Sequence, residues 1–291
     1  MTVAAKPQKI RKSSYTRDLL ERLFSTWNAR IGTFIIVVIA LACIFADVVA
    51  PYGYNDMDFA NMYSTPSAQH IMGTDNLGRD IFSRLLYGGR YSLSLGLIST
   101  IIGNLISIFL GVLAGYYGGK VETLIMRFMD VYSALPGQLL CILVSTAFGA
   151  GFQNTVLALS IQHLPGGARM TRAQILKERS MEYLEAAESI NCKKMTIMFR
   201  HLFPNVYSPL LVGATMEIGS NIMMAATLSY IGLGVQPPTP EWGAMLAEAR
   251  AFILVYPHMI IWPGVFIALT VFSLNLLGDA LRDALDPKLR K

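Results

Sequence analysis

Long apolar segments alternate with short polar ones along most of this chain. The first such segment, residues 31–50, carries a single charge, Asp47, near its far end. It is long enough to cross the hydrocarbon core of a bilayer as a helix. The pattern therefore predicts an all-α polytopic membrane protein with about six transmembrane helices. The remaining predicted spans are 91–115, 124–148, 154–170, 206–234 and 257–278.

Two of these spans are interrupted by residues that disfavour a straight helix. Pro136 lies within the third span, and Pro165, Gly166 and Gly167 break the fourth near its end. Irregular membrane helices often line cavities or ligand sites, because free backbone groups must face protein or water. The second span contains the segment GVLAG at 111–115, whose small-residue spacing permits close helix approach.

Composition and charge fix the class and the expected orientation. With 53% hydrophobic and 15% charged residues, the chain is too apolar for an ordinary soluble domain. On the six-span topology, all but four of the 24 Lys and Arg residues fall on the side of the N-terminus. Basic residues accumulate on the cytoplasmic side of membrane proteins, so both termini are predicted to be cytoplasmic in the cell (inner) membrane. This placement beside apolar segments indicates a lipid bilayer as the partner, and no nucleic acid.

The polar segments complete the predicted organisation. The amphipathic part of the second polar segment, 81–90, is expected to lie as a surface helix along the membrane interface. The predicted domains are a cytoplasmic leader at 1–30, a first transmembrane helix at 31–50, an external loop with an amphipathic helix at 51–90, a transmembrane domain at 91–280 with a cytoplasmic segment at 171–205, and a cytoplasmic tail at 281–291.

The stretch 180–204 is the most charge-dense polar segment after the first span, and it predicts two short helices around a break. Ser180 is expected to cap the first helix, and Asn191 to end it in a left-handed conformation. Pro204 is expected to stop the second helix. The pattern alone fits a plain connector between two spans equally well. The predicted apolar stripe of the first helix comprises Tyr183, Ala187 and Ile190.

Glu217 lies near the middle of the fifth span, with Asn221 one turn further on. A carboxylate at that depth costs about 3 kcal/mol on insertion scales, so it should face protein or water. Two interpretations remain open: a hydrogen bond to a neighbouring helix, or a role in a translocation pathway.

Motifs for chemistry are missing from the sequence. The chain has no HExxH, GxSxG or Walker A pattern and no clustered metal ligands. The three cysteines are far apart, so neither a disulfide framework nor a zinc site is predicted. The chain is therefore expected to be no enzyme and to need an external energy source for uphill transport.

Four blocks resemble one family of membrane proteins. Residues 185–205 resemble the EAA loop of permease subunits in binding-protein-dependent ABC importers. The remaining blocks, 72–96, 228–246 and 274–289, resemble the C-type subunit of the dipeptide/oligopeptide/nickel branch. The resemblance implies the ABC transporter type I importer permease fold. It also implies that the chain forms half of a translocation pathway for di- or oligopeptides.

In this family the EAA segment docks on a cytoplasmic ATPase. Glu185, Ala186 and Ala187 match the motif, whereas Asn191 stands where the family usually has Gly. The implied partners are a second homologous permease subunit, two cytoplasmic ATPase subunits and an extracytoplasmic peptide-binding protein. ATP and Mg would be used by the ATPase partners, and this chain is expected to bind no cofactor.

The fifth span departs from the family pattern. Relatives commonly carry a Glu at the position of Ala225 and a small residue at that of Glu217, which suggests a relocated polar feature and weakens any transfer of substrate specificity. Nickel or metal-chelate import is the alternative within the family. A stand-alone channel or proton-coupled carrier is the alternative outside it.

Overall fold

The computed structural model describes residues 21–190, 192–193 and 196–285, and within these ranges the secondary structure is helical. Two 3-10 turns, Phe59–Asn61 and Arg250–Phe252, and a π-helix, Ile197–Leu202, accompany the α-helices. The α-helices are α1 Trp27–Ile44, α2 Ala46–Val49, α3 Ile81–Tyr117, α4 Gly119–Tyr132, α5 Gly137–Phe148, α6 Phe152–Gln162, α7 Leu164–Arg179, α8 Glu182–Ser189, α9 Phe203–Tyr230, α10 Trp242–Ala249 and α11 His258–Leu285.

In the part of the chain that the structure describes, four helices, α1, α3, α9 and α11, are long and apolar enough to cross a membrane. The helices α4 and α5 meet at an angle of 82° and add a fifth span if the bent pair crosses once. The all-α membrane fold predicted from the sequence is confirmed. The remaining predicted span, 154–170, is divided between α6 and α7.

The two interrupted spans differ in detail from the prediction. The third turns sharply at Ser133–Pro136, where Pro136 is the residue before α5. The fourth breaks at His163, earlier than expected, and Pro165 lies in the first turn of α7. A proline there loses no helical hydrogen bond, because the first N–H groups of a helix have no partner within it. Gly166 and Gly167 therefore continue the helix rather than break it.

The expectation of a separate surface helix at 81–90 is wrong. This stretch is the first part of α3, which runs unbroken for 37 residues from an N-cap at Asp80. Most residues of 81–90 are buried, and at Gly88 and Gly89 the segments that carry Pro240 and Cys43 approach the helix closely. A Cβ atom at Gly88 would collide with the carbonyl oxygen of Pro240, and one at Gly89 with Cys43.

Close packing of α3 against α7 confirms the expectation for the GVLAG segment. A Cβ atom at Gly111 would collide with Thr171, and one at Gly115 with Ile175. Both partners lie on α7, so the small residues bring the two helices into contact along their length. Gly118, with φ of 65°, then ends α3 and starts the turn into α4.

The helical hairpin after α7 also differs from its prediction. Ser180 ends α7, since its hydroxyl donates to the carbonyl of Lys177, and it does not cap α8. The buried face of α8 carries Leu184 and Ala187, while Ile190 is 75% exposed, so the predicted stripe is wrong. Pro204 does not stop a helix. It lies in the first turn of α9, which follows the π-helix directly.

Candidate translocation site and coupling segment

Glu217 links the middle of α9 to α3. Its Oε2 atom accepts a hydrogen bond of 2.6 Å from Nδ2 of Asn104. The same nitrogen donates to the backbone carbonyl of Thr100 at 3.0 Å, which fixes the Asn104 amide on its own helix. Glu217 therefore makes the hydrogen bond to a neighbouring helix that was one of its two predicted roles.

Asn221 is 1% exposed and joins three helices. Its Nδ2 donates to Oγ1 of Thr100 at 2.9 Å, and its Oδ1 accepts from Nε2 of Gln162 at 3.0 Å. The Oε1 of Gln162 in turn accepts a hydrogen bond from the thiol of Cys141. One polar chain thus runs from α3 through α9 and α6 to α5, and each member has a partner inside an apolar bundle.

A cavity of about 380 Å³ lies where the α4–α5 bend meets the α6–α7 break. Glu217 reaches it from α9, so this residue both contacts a neighbouring helix and lines open space. The interrupted helices were the sequence signal for such a cavity. Its walls are formed by Tyr132, Ser133, Leu135, Pro136, Gly137, Leu140, Gln162, His163, Pro165, Gly166, Gly167, Arg169, Met170 and Glu217.

Charge around this cavity is distributed unequally. Arg169 donates through Nη2 to Oδ1 of Asp130 and to Oγ of Ser133, each at 3.0 Å. Its positive charge is therefore matched by a carboxylate outside the cavity wall. Within the described residues, Glu217 has no such cationic partner, and its recorded bond is the one from Asn104.

The helix α7 connects the cavity to the hairpin. Besides the Arg169–Asp130 pair, Arg172 forms an ion pair with Glu122, which ties the middle of α7 to α4. The helix α7 therefore contributes Arg169 to the cavity wall and ends at the start of the hairpin.

The hairpin presents a small anchored helix. Leu184 and Ala187 of α8 pack into a cluster with Ile175, Ile197 and Leu202. Other hairpin residues around this anchored face are exposed, namely Met181, Tyr183, Ala186 and Ile190.

Of the EAA residues predicted from the sequence, Ala187 is buried and Ala186 is exposed. Glu185 belongs to α8, and its side-chain placement lies outside what the structure describes, as does Asn191.

A second charged cluster, at the other end of α3, was not predicted. We call Asp75, Arg79, Arg84 and Glu248 the arginine clasp. Arg79 bonds Asp75 at 2.6 Å and Glu248 at 2.9 Å, and Arg84 bonds Glu248 at 3.0 Å. Arg84 is 1% exposed. The sequence analysis placed both arginines in an external loop. Their partners could have been found from two of the family motif blocks, since Asp75 lies within 72–96 and Glu248 lies two residues after 228–246.

The clasp continues into neighbouring buried contacts. Nδ1 of His70 lies 3.0 Å from Oδ1 of Asp80, the N-cap of α3. Further along, the hydroxyl of Ser92 donates to Glu241, which caps α10. The segment before α3 and the segment before α11 are thus fixed to one another around the start of α3.

The described residues contain no group of three or more His, Cys, Asp or Glu able to hold a metal ion. The polar cluster around Glu217 is made of amides, a hydroxyl and one carboxylate that hydrogen-bond to one another, and of these Gln162 and Glu217 also line the cavity.

Comparison with known proteins identifies the family. Residues 107–291 match the family described as binding-protein-dependent transport system inner membrane component. Residues 14–66 match the N-terminal TM domain of oligopeptide transport permease C. The first match covers more than half of the chain, and the second includes the first span.

Two curated relatives are similar over nearly the whole chain. The glutathione transport system permease protein GsiD of Pectobacterium atrosepticum is 46% identical over 260 residues, which cover 89% of this chain and 86% of that protein. The protein of the same name from Escherichia coli O6:K15:H31 is 48% identical over 258 residues, covering 88% and 85%.

Solved structures agree on the fold. The inward-facing MetNI methionine ABC transporter in its CY5 native crystal form superimposes with a TM-score of 0.58 at 18% identity. The match covers 71% of this chain and 98% of that one. The fold is therefore that of a type I ABC importer permease, and this chain belongs to the family of binding-protein-dependent transport system inner membrane components, the permease subunits of ABC importers.

Proposed function

We propose that this permease subunit carries a peptide-like solute, glutathione or a short peptide, across the membrane with energy from ATP hydrolysed by partner subunits. The observation that supports this most strongly is the 46–48% identity, over nearly 90% of the chain, to permeases named for glutathione transport. Glutathione is itself a tripeptide, so it falls within the peptide class that the sequence resemblance implies.

The assembly proposed contains a second homologous permease subunit, two cytoplasmic ATPase subunits and an extracytoplasmic binding protein. Both termini and the hairpin face the cytoplasm in this proposal, because the basic residues accumulate on that side of the chain. The arginine clasp then lies at the extracytoplasmic end, since α3 separates it from the hairpin by about 55 Å.

The coupling role is assigned to the hairpin, with Glu185, Ala186, Ala187 and Asn191 as its EAA residues. Its geometry suits this role. One face of α8 is anchored in a buried cluster, while Met181 and Ile190 are exposed. Apolar side chains exposed together outside the membrane-spanning helices are candidates for contact with a partner protein.

The pathway role is assigned to the cavity that Glu217 lines and to the polar chain through Asn221 that supports its wall. A polar cavity among interrupted membrane helices is where transported solutes commonly bind. The proposal rests on this position and on the lack of a cationic partner for Glu217 within the described residues.

Reconstituted uptake tests the proposed function. The permease pair, ATPase subunits and binding protein are placed in liposomes, and uptake of labelled glutathione, a tripeptide and a nickel chelate is measured. We expect ATP-dependent uptake of glutathione or the tripeptide. Uptake that proceeds without the ATPase subunits would contradict the proposal and favour a channel or carrier, and uptake of the nickel chelate alone would assign a different cargo.

A pair of matched variants tests the coupling assignment. Ile190→Asp places a charge on the exposed tip of the hairpin, whereas Ile71→Asp places one at a position 59% exposed at the other end of the molecule. An unpaired charge buried at an interface costs at least about 1.4 kcal/mol, so we expect about a tenfold loss of ATP-dependent uptake for Ile190→Asp alone. If Ile190→Asp supports uptake at the wild-type rate, with the same amount of protein in the membrane, the coupling role of the hairpin is contradicted.

A further inference from the structure

We propose that Glu217 binds the free ammonium group of the cargo in the cavity between the α4–α5 bend and the α6–α7 break. This inference rests on the proposed import of a peptide-like solute and names the part of the solute that the cavity recognises.

The first argument is the unmatched charge. Among the described residues, Glu217 is the one carboxylate that lines the cavity, and its hydrogen bond from Asn104 goes to Oε2. Within the described part of the chain, Oε1 accepts no recorded hydrogen bond. Because a carboxylate in the middle of a membrane is costly, a protein gains by giving it a cationic partner, and here a bound solute would supply one.

The second argument distinguishes a cation from an anion. Arg169, the cavity's one arginine, already forms an ion pair with Asp130 and a hydrogen bond with Ser133. Its charge is therefore compensated while that of Glu217 is not. The unbalanced charge in the wall is negative, which favours a positively charged group of the cargo over its carboxylate.

The third argument separates an ammonium group from a metal ion. Calcium takes about six to eight oxygen ligands, and nickel is suited to several imidazole ligands. The described lining residues offer one carboxylate, Glu217, and one imidazole, His163, and the described part of the chain contains no cluster suited to a metal. An ammonium group, by contrast, needs only a few acceptors. The Tyr132 hydroxyl, which donates to the carbonyl of Ile161, keeps its own lone pairs for such a contact.

The size of the site fits this chemistry. A volume of about 380 Å³ lies within the usual range for small-molecule sites and suits a solute of a few residues. Apolar surface from Leu135, Leu140 and Met170 lies in the same wall and would contact the side chain next to the ammonium group. The site therefore combines one ionic contact, from Glu217 to the ammonium group, with apolar contacts that do not depend on the identity of the neighbouring side chain. This combination suits a permease that carries several peptides.

Two substitutions at position 217 test the proposal in the reconstituted importer. Glu217→Gln keeps an acceptor for Asn104 and removes the charge, whereas Glu217→Asp keeps the charge. For a tripeptide with a free amino terminus, we expect about a tenfold loss of ATP-dependent uptake in Glu217→Gln and a smaller loss in Glu217→Asp. Asp47→Asn removes a carboxylate far along the chain from the cavity and serves as the matched control, with uptake unchanged.

A direct binding measurement identifies the group that is recognised. Saturation-transfer NMR on the permease pair in nanodiscs, without the binding protein, compares the tripeptide with its N-acetylated form. We expect transfer to the free-amino peptide to exceed transfer to the acetylated one, and this difference to vanish in Glu217→Gln. Equal transfer to both peptides in the wild type, or none to either, would overturn the assignment.

The outcomes separate this inference from the proposed function. Wild-type uptake by Glu217→Gln, still dependent on ATP, would reject the ammonium site and leave the importer assignment intact. Equal losses in Glu217→Gln and Glu217→Asp would also reject it, because a purely structural role predicts that result. Failure of the wild-type complex to import any peptide would instead reject the proposed function.

Discussion

The arginine clasp and the Glu217 cavity both place charge inside the molecule, yet they treat it in opposite ways. In the clasp, Arg79 and Arg84 share the carboxylates of Asp75 and Glu248, so each charge has a partner of opposite sign. In the cavity, Glu217 accepts a hydrogen bond from an amide and, among the described residues, has no cationic partner. Fully paired buried charges fix segments to one another, whereas an unpaired carboxylate beside open space is suited to an exchangeable partner.

The comparison predicts that removing a charge from the clasp has the largest effect on stability. Arg84→Met leaves Asp75 and Glu248 to share the remaining arginine, Arg79, and breaking a buried ion pair costs up to about 3–5 kcal/mol. We expect a large fall in the thermal unfolding temperature of the detergent-solubilised protein. The double variant Arg84→Met/Glu248→Gln should lose less than the sum of its parts, and simple additivity would contradict a shared network.

Truncation of the polar chain beside the cavity should have an intermediate effect. Asn221→Ala removes the partner of Thr100 and Gln162. Gln162 lines the cavity, where water can replace its lost bond, so the main cost is the unsatisfied group at the buried Thr100, about 1–3 kcal/mol. The unfolding temperature should fall by less than for Arg84→Met, and the matched variant Ser220→Ala, at an exposed neighbour, should leave it unchanged.

Removal of the cavity charge should cost little or no stability. Glu217→Gln keeps an acceptor for Asn104 while it removes a carboxylate that has no cationic partner within the described ranges, so the unfolding temperature should stay the same or rise. Thermal unfolding of this variant beside Arg84→Met gives the sharpest form of the comparison. A loss as large as that of the clasp variant would mean that Glu217 is structural.

The smallest effect is expected at the exposed ion pair between Asp47 and Arg90. The hydrogen bond from Arg90, followed by one with Tyr87, lowers the pKa of Asp47 below its ordinary value. Any stabilisation by this pair is therefore present at neutral pH and is lost as the pH falls through the lowered pKa. Asp47→Asn should leave thermal unfolding at pH 7 unchanged, since exposed pairs contribute little. A clear fall would show that the pair is shielded from solvent.

Hydropathy and charge predicted the helical membrane class, and four sequence blocks predicted the family. Both predictions were correct because they depend on composition and on local motifs. The arrangement of the segments between the spans could not be predicted in the same way, because it depends on contacts with residues far away in the sequence. The start of α3 is the clearest case, since 81–90 has the alternation of a surface helix, and only the approach of Pro240 and Cys43 to its glycines shows that it is buried.

The candidate site was predicted in part. The mid-span position of Glu217 and the interrupted helices were visible in the sequence, but its bond to Asn104, more than a hundred residues away, was not. Likewise, Pro204 was predicted to end a helix, because a proline inside a helix breaks it. In the structure a new helix, α9, begins at Phe203 directly after the π-helix, so Pro204 lies in its first turn, where proline is tolerated.

The accessibility of the cavity to cargo is the most direct test of the central claim, that solute passes beside Glu217. In a chain whose three native cysteines are replaced by Ala, Leu140→Cys places a thiol in the cavity wall, and Phe34→Cys places one on the exposed side of α1. During ATP turnover we expect a water-soluble thiol reagent to modify Leu140→Cys faster than Phe34→Cys, and peptide cargo to slow that modification. A Leu140→Cys thiol that stays as unreactive as the control, or whose modification is indifferent to cargo, would contradict the account.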